Sequence, residues 1–214
     1  MTIELIPVIE IGYNNQGIAV PNAYPYWDNP EIWDKYHEES YLKAGFKEKL
    51  KPYLKGSSFY RLTDILDHTL KKITVDHTGE FKEKSCSFFG GFVLRIDGQD
   101  KLFPQCCGLL ADINFWDRIS KGQQSYYEGH PAPQISFKDN AIIFDLTTNE
   151  FDESFQPTPP TSVFTVDRTE LVKAVEKVKQ DLTTFGKRLH KINEELNLNI
   201  NDIDNVLIWY DDNY

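Results

Sequence analysis

The chain has 214 residues, 40% hydrophobic and 14% aromatic, enough to bury a core without a metal or disulfide staple and too apolar for a disordered chain. Its 23 Lys and Arg against 33 Asp and Glu give a formal net charge of −10, which repels nucleic acid and anionic membrane alike, since both need a basic footprint. No run of about 18 apolar residues suggests a transmembrane helix, and Met1-Thr2-Ile3-Glu4 lacks the parts of a secretory signal, so the cytoplasm is the expected compartment.

Residues 3–11 read as a strand, with Pro7 placing it at an edge or a bulge. A loop rich in Asn, Pro and Tyr follows. Asn29-Pro30-Glu31 then starts a helix that carries Ile32, Trp33, Tyr36, Tyr41 and Leu42. Thr63 is expected to cap a shorter helix with Leu62, Ile65, Leu66, Leu70 and Ile73 on its buried side. The period then changes. Residues 88–96 form a strand, Asp97-Gly98 a turn, and residues 100–105 the returning partner. Gly90 and Gly91 inside that strand point to a bulge or a close backbone approach.

Residues 112–119 read as a short helix with Phe115, Trp116 and Ile119. A second hairpin, residues 134–138 and 141–146, closes on Asp139-Asn140, a pair that tolerates positive φ. Residues 156–165, with three prolines, read as a stiff connector. Asp167-Arg168-Thr169-Glu170 is a capping box for the longest helix, to about residue 196, and residues 206–210 read as a last strand. The fold class is therefore α+β: an antiparallel sheet built from hairpins, packed against several helices in one domain spanning 1–214.

In the long helix Leu171, Val175, Val178, Leu182, Phe185, Leu189, Ile192 and Leu196 recur at alternating spacings of 4 and 3. A coiled-coil dimer would use this seam, but the flanking positions bring no opposite charges together in a parallel pair. Gly186 costs about 1 kcal/mol in a helix interior, and Val172 widens the stripe. A monomer with the seam turned inward is favoured, with dimerisation through this helix as the alternative.

Chemistry-bearing residues are sparse. Five His and three Cys show neither Cys-x-x-Cys nor His-x-x-x-His spacing, and adjacent Cys106 and Cys107 look poorly placed for one tetrahedral ion. Buried thiols in a reducing compartment are the expectation for Cys86, Cys106 and Cys107. His130 follows 23 residues after Cys107, in a Gly-His-Pro loop with nothing to mark it as oriented. No metal ligand, cofactor or catalytic residue is assigned.

Charge location says more. Residues 139–167 hold six acids and no base, and residues 199–214 hold four more, again without a base. Phe144, Phe151 and Phe155 interleave the first stretch; Trp209, Tyr210 and Tyr214 the second. Acids that steer and aromatics that anchor suit a basic protein partner. Glu150, Asp152, Glu153, Asp202, Asp204, Asp211, Asp212 and Tyr214 are the candidate interaction residues.

Residues 103–112 (FPQCCGLLAD) followed by Trp116 resemble a strand-to-helix motif of uncharacterised bacterial proteins, some of which are similar to immunity proteins of toxin systems. The resemblance implies a non-enzymatic cytoplasmic inhibitor of a cognate toxin, often a basic nuclease, and identifies no contact residues. The expected function is thus an immunity-type binding protein for a basic partner. The alternative is a small hydrolase using carboxylates or Cys106 and Cys107 in a cleft.

Overall fold

From the first strand Ile3, Leu5 and Ile9 turn into the main core, while Ile6 and Val8 join Val93 in a smaller cluster on the opposite face. A computed structural model describes residues 1–147 and 152–210. In it, β1 (Ile3–Glu10), β2 (Phe59–Arg61), β3 (Gly90–Ile96) and β4 (Gln99–Leu102) form an antiparallel sheet in the order β2-β1-β3-β4.

β1 is thus an inner strand rather than an edge, and Pro7 is accommodated by register. The Glu10 amide donates to the Phe89 carbonyl on the β3 side, so alternation turns Pro7 toward β2. There β2 pairs only with Val8, Ile9 and Glu10, and the missing donor leaves no ladder bond unmade.

A second antiparallel sheet holds β5 (Gln134–Lys138), β6 (Ala141–Asp145) and β7 (Val163–Asp167) in sequential order. Asp139 takes the positive φ, +54°, expected of its turn. β7 takes the end of the stretch read as a connector, because its prolines stop before Val163 and leave the later amides free to pair with β6.

The helices are α1 (Pro30–Lys43), α2 (Asp67–Thr78), α3 (Ile113–Ser120) and α4 (Arg168–Leu196). α2 starts later than the Thr63 cap implied: Leu62–Asp64 is a short 3-10 turn and Leu66 is exposed. α4 begins as expected, the Asp167 side chain accepting the Glu170 amide at 3.0 Å.

The seam of α4 from Leu171 to Ile192 is buried within the chain itself, against β1 and α3. Gly186 has a tertiary reason: a Cβ there would stand 3.0 Å from the Cβ of Asp204. The residues after Asp204, expected as a strand, instead form a π-helical turn, Asn205–Trp209, with Leu207 and Ile208 buried. The Phe88 amide and the Ser87 hydroxyl each donate to the Leu207 carbonyl at 3.0 Å. A five-residue apolar run carries no period that separates a strand from a buried helical turn.

One core cluster runs through both sheets and the helices. Fully buried Trp116 stacks on Phe144 at 5.9 Å, and Phe144 on Phe164 of β7 at 5.1 Å. This aromatic stack ties α3 to the second sheet and so fixes the segments on either side of α3.

Candidate functional site

Glycines set the floor on which the site is built. Gly90 opens β3 at φ +133°, and a Cβ there would lie 2.7 Å from the Ile9 Cα and closer still to the Val8 carbonyl oxygen. A Cβ on Gly108 would lie 2.7 Å from the Gly90 carbonyl oxygen. With both positions bare, the loop after β4 presses onto the sheet: the Gly90 amide donates to the Gly108 carbonyl at 2.8 Å and the Leu110 amide to the Phe88 carbonyl at 3.0 Å. Cys106 and Cys107 ride on this loop.

Both of these cysteines are exposed, which overturns their expected burial; Cys86 is half-buried. Consecutive side chains of an extended chain point to opposite sides. Cys107 breaks that alternation with a left-handed φ of +65°, and the two sulfurs come within 3.5 Å. The His130 amide donates to the Cys106 carbonyl at 3.0 Å, forming an isolated antiparallel bridge between the two loops. The Cys106 and Cys107 sulfurs and one His130 ring nitrogen thereby lie within 4.8 Å of one another. Glu153 Oε2 stands 2.8 Å from His130 Nδ1, so the imidazole is oriented after all.

Two side chains clamp the loops together. Gln105, buried, donates through Nε2 to the Phe103 carbonyl at 2.7 Å and the Gln156 carbonyl at 2.9 Å, and accepts the Gln156 amide at 2.8 Å. This ties the cysteine loop to the strap that carries Glu153. Asp112, also buried, accepts the Leu109 and Glu128 amides, each at 3.2 Å, and so joins the cysteine loop to the segment leading into His130. Burial pushes the Asp112 carboxyl up to about 7, opposed by those two amides.

The cleft above these residues measures 590 Å³ and takes in Glu10, Tyr26, Trp33, Phe59, Gln105, Cys106, Cys107, His130, Asp152 and Glu153. Among the described residues its lining holds three acids and no Lys or Arg. Burial first, then Cys107, Glu153 and Glu10, push the Cys106 thiol up to about 11, opposite to the shift of a catalytic thiolate. Burial and the Glu10 charge likewise raise the Tyr26 phenol.

Of the candidate interaction residues, Asp152 and Glu153 lie in this cleft. Asp202 is exposed at a turn, and Asp204 sits 2.7 Å from His190 Nε2 on α4. Glu150, Asp211, Asp212 and Tyr214 lie outside the described residues, as does Phe151. Phe144 and Phe155, expected as surface anchors, are core. The aromatics of the cleft are Tyr26, Trp33 and Phe59, and neither they nor Glu10 were singled out from the sequence as site residues. They come from separated segments that no local spacing connects. The other thiol–imidazole pair, Cys86 and His77, is tucked beside Phe88, where burial lowers the imidazole and raises the thiol.

Comparison with protein-family models finds no match, and neither do comparisons with curated proteins and with solved structures. Among the described residues, no helix is long and apolar enough to cross a membrane.

Proposed function

We propose that the chain is a non-enzymatic binding protein that takes a basic segment of a partner protein into this cleft, as an immunity-type inhibitor takes a toxin in the cytoplasm. The observation that carries the reading is the 590 Å³ cleft whose described lining offers Glu10, Asp152 and Glu153 without a single Lys or Arg, beside Tyr26, Trp33 and Phe59. Carboxylates attract a lysine or arginine side chain, and aromatic faces hold it by cation–π contact. The acids stand inside a concavity rather than across a flat face, so the part of the partner they suit is a protruding segment. The resemblance of residues 103–116 to proteins of the toxin-immunity type points the same way, since that motif supplies one wall of the cleft.

A lysine- and arginine-rich peptide serves as probe, with an acidic peptide of equal length as control. Calorimetric titration should show binding of the basic peptide alone, weaker at high salt. It should weaken by about tenfold or more in the Glu10→Lys, Asp152→Lys double variant, both positions being exposed. Equal binding of the two peptides, or indifference to the double variant, refutes the reading.

One arrangement favours a second reading, a small cysteine hydrolase. Cys106 and Cys107 adjoin His130, which Glu153 orients, and nucleophile, base and orienting carboxylate are the parts such an enzyme requires. An ester-hydrolysis burst with p-nitrophenyl acetate, lost in both Cys106→Ser and Cys107→Ser, would establish it; its absence in the wild type removes it.

A further inference from the structure

We propose that Cys106, Cys107 and His130 together bind a soft divalent cation, zinc being the ion their donor set suits. The inference goes beyond the basic-partner reading and does not depend on it. A tetrahedral zinc with sulfur ligands at about 2.3 Å holds two of them about 3.8 Å apart. The Cys106 and Cys107 sulfurs stand 3.5 Å apart and so approach that separation without rebuilding the loop. A His130 ring nitrogen completes a trio within 4.8 Å.

Three further features fit the same ion. Cys107 holds a left-handed φ of +65°, a conformation that disfavours a non-glycine residue and brings two successive thiols to one side. Glu153 Oε2 lies 2.8 Å from His130 Nδ1, so with zinc on Nε2 it would fix the ring orientation as the carboxylate partners of metal-bound histidines do. Glu10, Asp152 and Glu153 add negative charge to the cleft, with no Lys or Arg in its described lining. Two thiols and one imidazole select zinc over calcium or magnesium, which take oxygen donors. Three protein ligands leave the fourth position of a tetrahedral ion for water or for a group entering the cleft. Binding is coordination without redox change, the thiol protons passing to the buffer.

The test titrates zinc chloride into the reduced full-length protein and follows cobalt(II) chloride by absorbance. Zinc should bind one to one, and cobalt should give thiolate-to-metal charge-transfer bands. Cys106→Ser, Cys107→Ser and His130→Ala should each weaken zinc by about tenfold or more, and Glu153→Gln by about tenfold. Cys86→Ser should leave affinity unchanged. Both target thiols are exposed, so their serine variants keep the fold, which circular dichroism verifies. No zinc binding by the reduced wild type, cobalt spectra without thiolate bands, or zinc affinity indifferent to the double serine variant each overturns the site. Zinc binding alongside failure of the basic peptide would leave the site standing and remove only the basic-partner reading.

Discussion

Asp112 is only 3% exposed and is held between two backbone amides, so replacing it with Asn should change how stability responds to pH. In the fold, burial raises its carboxyl from 3.8 to about 7. An acid whose folded value lies above its unfolded one stabilises the fold while protonated. That contribution is complete below about pH 4 and is lost as pH rises through about 7. A shift of this size corresponds to about 4 kcal/mol at its limit, of which about 2.5 kcal/mol falls between pH 5 and 8. Asp112→Asn has no such titration. It does turn an amide donor toward one of the backbone N–H groups, which costs about 1–3 kcal/mol at every pH. Urea unfolding at pH 5, 6, 7 and 8 should therefore show the variant clearly weaker than the wild type at pH 5, with the gap shrinking or reversing by pH 8. A gap constant across that range refutes the claim that Asp112 is protonated in the fold.

Other expectations can be checked with similar economy. Gly90→Ala drives a Cβ against Ile9 and the Val8 carbonyl at φ +133° and should cost about 3 kcal/mol or more in urea unfolding. Gln105→Ala removes three hydrogen bonds, two of which tie the cysteine loop to Gln156 and one of which goes to the Phe103 carbonyl. It should cost about 1–3 kcal/mol and also weaken zinc, because the strap carrying Glu153 is released. A thiol-reactive chromophore should reach the exposed Cys106 and Cys107 of the native protein ahead of the half-buried Cys86, with Cys106 slowed by its raised thiol and quickening as pH climbs toward 11; Cys86 labelled first contradicts the geometry. Trp116→Ala removes the α3 end of the aromatic stack on Phe144 and should cost about 3–5 kcal/mol in the same unfolding assay.

Much of the architecture was legible where a short-range rule governs. The α4 cap, its inward seam, the Asp139-Asn140 turn and the close approach at Gly90 each follow from spacing or from one residue's backbone freedom, and each is present. The three-residue β2, β7 after its prolines and the π-helical turn at Asn205–Trp209 carry no comparable local signature. Their states follow from partners far along the chain, such as Phe88 and Ser87 for the Leu207 carbonyl.

The site divides in the same way. Cys106, Cys107 and His130 could be named from the sequence, but adjacency argued against joint use of the thiols and the Gly-His-Pro loop suggested no orientation. A left-handed turn at Cys107 and a bridge from Cys106 to His130 bring the two sulfurs within 3.5 Å of each other, and a carboxylate 23 residues beyond the imidazole orients it; their joint use by one ion is the proposal made above. The sequence by itself determined the α+β class, the acidity and the residue types available for chemistry, because composition and periodicity are local properties. Only the tertiary structure decided which of those residues meet. Bare Gly90 and Gly108 let the loops close, and the Gln105 and Asp112 clamps hold two thiols, an imidazole and a carboxylate in one acidic cleft.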